Sequence, residues 1–307
     1  MRTAFIKTLF DLAQEDQRIV LVVGDLGFGV VTEFMEHLPE QFVNAGVAEQ
    51  NMTGMAAGMA LSGKKPFTYS IANFPVLRCL EQIRNDICYH NADVKIVAVG
   101  GGMAYGSLGI SHHATEDLAI MRALPNITVV APGDPVEAQL ATRALVQHEG
   151  PAYLRLGRNG EDILYTETPP FQLGKAIRVR EGDDITLIST GGLLQETLRA
   201  ADTLAAREVE ARVLSMHTVK PLDKDAVLAA AAETDAIFTI EEHSIIGGLG
   251  GAIAEALLEA DIRPRHFKRI GLQGAFSSVV GDQDYLRTQF GLDAAGIVGA
   301  VQSQLGR

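Results

Sequence analysis

The chain has 307 residues, 47% hydrophobic and 21% charged, a globular profile long enough for about two domains. With 26 Lys+Arg against 38 Asp+Glu the net charge is −12, which speaks against nucleic acid or an anionic membrane as the main partner, because phosphate surfaces call for a basic patch. There is no window of about 18 uninterrupted apolar residues for a membrane span, residues 1–7 lack the apolar core of a signal peptide, and two cysteines cannot build a disulfide framework or a four-ligand zinc site, so a soluble cytoplasmic protein is expected.

Short β-branched runs alternate with longer helical periods. A helix is predicted over 3–15, then a buried strand over 18–23 that ends at Gly24. A helix over 49–62 follows. Residues 67–84 read as strand, loop and helix, with the helix expected over 75–90 and carrying both Cys79 and Cys88 as core residues. Residues 94–99 form another apolar strand, closed by Gly100-Gly101-Gly102. Residues 127–130 form a third, closed by Pro132-Gly133-Asp134 ahead of a helix over 134–147. A second set begins after a proline-bearing stretch around Pro169-Pro170: strands at 184–189, 211–215 and 236–240, a helix at 192–207, and a helix opened by the glycines at 247–251. Continuous apolar strands alternating with helices predict an α/β fold of two domains, each a mostly parallel sheet flanked by helices. The expected division is 1–165 and 181–307, joined by a linker at 166–180.

Three segments carry chemistry. In Asn44-Ala45-Gly46-Val47-Ala48-Glu49, an acid sits at the mouth of a helix whose other residues are small or apolar. Glu49 is either a first-turn acid that complements the helix dipole or a semi-buried carboxylate poised to share a proton. Tyr69 and Phe74 fall near the carboxyl end of a strand, where open α/β sheets bind ligands, although two aromatics there also suit a core. The loop Gly100–Asp117 is glycine-rich and ends in the pair His112-His113. That pair suits proton transfer or hydrogen bonding to substrate oxygens better than metal binding, since no third ligand stands at a recognisable spacing.

Together these segments resemble a known family. The run from Asn44 to Gly58 is similar to the pyrimidine-binding helix of transketolases and 1-deoxyxylulose-5-phosphate synthases. Ser111-His112-His113-Ala114-Thr115-Glu116-Asp117-Leu118-Ala119, continuing to Pro125-Asn126, resembles the histidine-to-"P-N" run of the same families. Val219-Lys220-Pro221-Leu222-Asp223 and the run Glu241–Gly250 resemble the synthase C-terminal domain, so the resemblance covers nearly the whole chain. It implies a thiamine diphosphate enzyme that transfers a two-carbon ketol unit from a ketose to an aldehyde. Glu49 matches the glutamate that hydrogen-bonds the aminopyrimidine ring of the cofactor. Phe74 is the expected stacking aromatic, and Asp25 and Leu26 match residues that lie against the thiazolium side. His112 matches the histidine that contacts the donor near its reacting carbon. Arg158 matches an arginine that pairs with substrate phosphate, a task suited to its bidentate fork; a surface salt bridge is the plain alternative.

The sequence also departs from the family. The "G-D-G" run with a later Asn, through which these enzymes hold the diphosphate and Mg2+, is missing: Gly24-Asp25-Leu26-Gly27 lacks the third glycine. The resemblance therefore implies that an N-terminal, diphosphate-binding subunit supplies that half of the site and most of the Mg2+ binding, in an assembly of two copies of each chain. An acid expected four residues before the loop histidine is Leu108, and a histidine expected at the end of the preceding strand is replaced by glycine at Gly100. Both changes point to a sugar other than the usual one. The rival readings are the β subunit of a 2-oxo-acid dehydrogenase E1 component, which shares fold and cofactor, and a non-catalytic assembly subunit.

Overall fold

The protein is described here by a computed structural model covering residues 1–27 and 29–306. The first half of the chain forms α1 (Arg2–Glu15), β1 (Ile19–Val23), α2 (Thr32–His37), β2 (Phe42–Asn44), α3 (Glu49–Leu61), β3 (Lys65–Ile71), α4 (Asn73–Leu77), α5 (Leu80–Gln82), β4 (Lys95–Val99), α6 (Asp117–Ala123), β5 (Thr128–Val130), α7 (Pro135–Gln147) and β6 (Ala152–Leu156). The second half forms β7 (Ile177–Arg180), β8 (Ile185–Thr190), α8 (Leu194–Ala205), β9 (Ala211–Ser215), β10 (Thr218–Lys220), α9 (Lys224–Glu233), β11 (Ala236–Ser244), α10 (Leu249–Glu259), β12 (His266–Leu272), α11 (Gln283–Gln289) and α12 (Ala294–Leu305).

The first sheet has the order β10-β5-β6-β4-β3-β1-β2 and is parallel except where β10 runs antiparallel to β5. Strands β1, β4 and β6 are buried along their whole length, because helices cover both faces. On one face Phe5 and Leu9 of α1 and Leu145 of α7 pack on Leu21 and Val97; on the other Ala56, Ile83 and Leu118 pack on Ile96 and Val129. A strand covered twice has no polar face to display, which is why these runs do not alternate. The Pro132-Gly133-Asp134 closure is a helix start: the Asp134 carboxylate accepts from the Glu137 N–H at 2.7 Å, with Pro135 at the first helical position.

The second sheet has the order β12-β11-β8-β9-β7, parallel except for β7 against β9. The two mostly parallel, helix-flanked sheets are the architecture expected from the sequence. Two strands fall outside the simple division of the chain. β7 lies within the stretch read as a linker, and β10 crosses from the second half to become the edge of the first sheet.

Two elements differ from expectation. The helix predicted over 75–90 is interrupted: α4 stops at Leu77, Arg78 and Cys79 turn, and α5 leads into a π-helical turn at Ile83–Cys88. The interruption turns Arg78 toward Glu49, a pull that residue spacing does not reveal. Cys79 and Cys88 are core residues all the same, and burial pushes both thiols up, that of Cys88 to about 11. The strand predicted over 236–240 runs on to Ser244. Glu241, Glu242 and His243 are buried there because the first half of the chain covers that end of the strand and supplies polar partners, so a polar sequence is folded as sheet interior.

Candidate functional site

In the first sheet the parallel strands β1, β2, β3, β4 and β6 end on the same edge, and each delivers one part of a site to it. β1 delivers Gly24 and Asp25, β2 leads to Glu49, β3 to Phe74, β4 to the glycine loop with His112, and β6 to Arg158.

Asp25 has a left-handed backbone (φ 53°) and is exposed. It is held by Asn44, whose amide oxygen accepts from the Asp25 N–H at 3.1 Å and whose amide nitrogen donates to the Asp25 carboxylate at 3.0 Å. Leu26 is partly buried against the core. Glu49 begins α3 and is only 4% exposed. Glu49 and Ser70 both face Gly24: a Cβ there would stand 3.6 Å from Glu49 Cγ and from Ser70 Oγ. Arg78 Nη1 donates to both Glu49 carboxylate oxygens at 3.1 Å. The same guanidinium lies over Phe74, with Cζ 4.3 Å from the ring centroid. Arg78 escaped the sequence reading, since an arginine mid-helix ordinarily faces solvent.

Phe74 is half-buried at the start of α4, and Tyr69 is fully in the core, stacked on Phe5 with centroids 6.2 Å apart. Asn73 donates to the Ser111 carbonyl at 2.9 Å, pinning the glycine loop against α4. That contact brings the His112 ring edge-on to Phe74, centroids 5.2 Å apart. Burial, with lesser contributions from His113 and Arg78, holds the His112 imidazole below the usual histidine range. Its Nδ1 lies 2.9 Å from Ser111 Oγ. His113, in contrast, is buried and faces the Gly106 carbonyl at 3.4 Å. The paired histidines thus separate into one that borders the site and one that packs inside the loop.

Arg158 is exposed, with Cζ 5.1 Å from the Tyr105 ring centroid. It rims a cleft of about 430 Å³ between the sheets, lined also by Gly101, Arg155, Gln195 and Glu242. Leu108 is exposed in the short turn at Gly106–Leu108 and offers no polar atom. The departure at Gly100 has a steric counterpart: a Cβ there would stand 2.1 Å from the Tyr105 ring.

The second half of the chain holds the loop in place. Glu242 accepts from the Met103 N–H at 2.7 Å and from Arg287 Nε at 2.7 Å. Arg155 donates to Asp117 at 2.8 Å and to the Ala114 and Glu242 carbonyls at 2.8 and 3.0 Å. Asp117 also accepts from the Tyr153 hydroxyl at 2.6 Å. The glycine-opened helix α10 is a tight turn whose N-terminus is already filled: the Glu241 carboxylate accepts from the Leu249 and Gly250 N–H groups at 2.7 and 2.9 Å.

The edge fits an aminopyrimidine. Ser70 Oγ is buried without a hydrogen-bond partner among the described residues and borders Gly24, as the buried Glu49 does, and Phe74 stands at the start of α4 with Arg78 over one face of its ring. Those are a carboxyl to share a proton with a ring nitrogen, an unmet polar group and an aromatic surface. Among the described residues no group of three or more His, Cys, Asp or Glu side chains could hold a metal ion, and no helix is long and apolar enough to cross a membrane.

A buried acid under a parallel-sheet edge, with an aromatic and a histidine on the same edge, defines an α/β protein with a candidate ligand site at the carboxyl ends of its strands. Residues 1–160 match the transketolase pyrimidine-binding domain family and residues 174–297 the transketolase C-terminal domain family. The chain belongs to the transketolase family. It is 40% identical to the 6-deoxy-6-sulfo-D-fructose transketolase subunit of Clostridium sp. (strain MSTE9), over 98% of this chain and 92% of that protein. It is 39% identical to an apulose-4-phosphate transketolase subunit of Phocaeicola vulgatus, over 96% of this chain and 94% of that one. Among solved structures it superposes on a split-gene transketolase described as an inactive beta4 tetramer, with a TM-score of 0.90 and 39% identity over 99% of this chain and 97% of that chain.

Proposed function

We propose that the protein is the pyrimidine-binding subunit of a two-component, thiamine diphosphate-dependent transketolase that transfers a two-carbon ketol unit from an anionic ketose to an aldehyde. The observation that carries this reading is the buried Glu49 carboxyl and the Ser70 hydroxyl, unpartnered among the described residues, both bordering Gly24 on the edge that also bears His112. The two relatives, nearly all of whose length this chain spans, are themselves named as subunits. That supports a site completed by a second chain, which on this reading is N-terminal and holds the diphosphate and Mg2+, two copies of each assembling in the cytoplasm. Both relatives' names carry a sugar with an acid group, a sulfo group in one and a phosphate in the other, which supports an anionic substrate for Arg158.

Thiamine diphosphate, when bound, would supply the electron sink that lets the bond beside a ketose carbonyl break and re-form. The chain's residues do the rest. Glu49 would share a proton with the pyrimidine ring nitrogen, in a pocket dry enough to make that hydrogen bond count. Phe74 would stack on the ring, and Asp25 and Leu26 would lie toward the thiazolium side. His112, whose imidazole burial holds below the usual histidine range, offers a ring nitrogen to the donor's oxygens and holds or releases a proton there. Arg158 binds the anionic end through its planar fork.

The test is reconstitution with the partner subunit, thiamine diphosphate and Mg2+. The wild-type complex should transfer ketol units, the lone chain should not, and Glu49→Ala should abolish turnover. Activity retained in Glu49→Ala would remove Glu49 from the mechanism. Acylation of a lipoyl domain in place of ketol transfer would assign the chain to the E1 reaction instead.

A further inference from the structure

We infer that Tyr105 is a substrate-positioning residue of this site, reading the sugar between its reacting carbon and its anionic end. The inference rests on the ketol-transfer reading above and adds a specificity determinant to it.

Tyr105 stands where β4 gives way to the glycine loop. Its ring lies directly over Gly100, whose φ is 86°: a Cβ there would stand 2.1 and 2.2 Å from ring atoms Cε2 and Cδ2. Real Cβ atoms essentially never come so close, so the ring and any side chain at position 100 exclude one another. The backbone fixes the ring from below as well, because the Tyr105 carbonyl accepts from the Leu108 N–H at 2.8 Å and starts the turn at Gly106–Leu108. The ring is half-buried.

Two of its neighbours are groups assigned to substrate. The His112 ring stands edge-on with centroids 6.1 Å apart, and Arg158 Cζ lies 5.1 Å from the Tyr105 centroid. The row Phe74, His112, Tyr105, Arg158 is therefore continuous. A substrate with one end at His112 and an anion at Arg158 has to cross the tyrosine. Two consequences follow from the chemistry of a phenol. The ring face attracts the guanidinium and orients an otherwise exposed side chain toward the site. The hydroxyl, donor and acceptor both, can bond a sugar hydroxyl along the crossing. Leu108, exposed and apolar in the same loop, cannot take that role. The ligand class is a polyhydroxylated ketose carrying a phosphate or sulfonate.

The test uses the reconstituted holoenzyme with a donor panel of D-fructose 6-phosphate, D-xylulose 5-phosphate, apulose 4-phosphate and 6-deoxy-6-sulfo-D-fructose, each beside its neutral counterpart. Tyr105→Phe, losing one hydrogen bond, should raise KM for the best donor about threefold to tenfold with kcat much less affected. Tyr105→Leu, which also frees Arg158, should raise KM for the anionic donor about tenfold or more while KM for the neutral counterpart stays near that of Tyr105→Phe. Gly100→Ala, which must displace the ring, should behave as Tyr105→Leu does. Thiamine diphosphate affinity should stay at the wild-type value in all three. An active wild type whose KM values are unmoved in the tyrosine variants would overturn the inference alone. So would a parallel loss of kcat and cofactor affinity, which would mark Tyr105 as a loop-packing residue. A wild-type complex that turns over no donor in the panel would overturn the ketol-transfer reading, and this inference with it.

Discussion

Arg78 Nη1 donates to both carboxylate oxygens of Glu49, at 3.1 Å each. The chain by itself thus satisfies its buried acid with a side chain that is half exposed and free to leave. The aminopyrimidine would claim the same carboxylate, so the pairing has the character of a placeholder. Arg78→Ala should therefore destabilise the free chain by about 1–3 kcal/mol, the usual cost of stranding a buried acceptor, and should cost the cofactor-saturated complex less. Urea unfolding of both states measures the difference. Equal losses would mean that Arg78 keeps Glu49 when the cofactor is bound.

The glycine loop that carries His112 owes its position to the second half of the chain. Glu242 grips the Met103 N–H and is itself gripped by Arg287 and Gln283. Gly102 lies against it closely enough that a Cβ would meet Glu242 Oε1 at 2.6 Å. Arg287→Met should leave a buried, underpaired carboxylate and cost about 3–5 kcal/mol. At a temperature where the variant is folded, kcat should fall with thiamine diphosphate affinity unchanged, because the loop, not the pyrimidine pocket, loses its anchor. A variant that unfolds earlier but turns over normally would show that the loop holds its own shape.

How much of this the sequence disclosed depended on whether a residue's partner was local. The apolar strands β1, β4 and β8 and the helices α1, α3 and α7 were legible, since burial on both faces and a proline-aspartate helix start are properties of consecutive residues. Strand β6 is not legible, because Arg155 interrupts its apolar run; Asp117, 38 positions away, and the Ala114 and Glu242 carbonyls make an arginine tolerable there. The far end of β11 was missed for the same reason. At the site, Glu49, Phe74, His112 and Arg158 were named from motif likeness, and the fold delivers them to one edge. Arg78 and Tyr105 carried no local signal: each becomes visible only when its contact across the fold, with Glu49 or with Gly100 and Arg158, is known.

Helix α10 tests the same idea at another place. Its opening N–H groups, at Leu249 and Gly250, are taken by Glu241 rather than by a ligand, and a Cβ at Gly248 would stand 2.0 Å from Glu241 Oε2. Glu241→Leu should cost about 2–4 kcal/mol, from two unpaired buried N–H groups. Phosphate added to the wild-type chain should produce no stabilisation attributable to this helix end. Stabilisation by phosphate that Glu241→Leu enhances would show an anion site masked by the glutamate.

Stability should also depend on pH through His217. The ring is fully buried, stacked on Phe171 with centroids 4.0 Å apart and an interplanar angle of 18°, and Nδ1 meets Thr218 Oγ1 at 2.9 Å. Burial lowers its pKa from 6.5 to about 4, against the opposing pull of Asp223. Above pH 6.5 the imidazole is neutral in both the folded and the unfolded chain and its contribution is fully present. As the pH falls toward 4 the unfolded chain takes up a proton that the folded chain refuses, so stability is lost at up to about 1.4 kcal/mol per pH unit. Glu137 and Glu241 act in the opposite sense, since burial raises their carboxyls and the folded chain keeps protons that the unfolded one releases above its own value. A single stability curve therefore mixes the two. The difference between wild type and His217→Phe, which keeps the stacking on Phe171, removes the carboxyl contributions. That difference should be flat above pH 6.5 and should move steadily against the wild type between pH 6.5 and 4. Parallel curves through that window would mean that the folded chain accepts the proton at His217 as readily as the unfolded one.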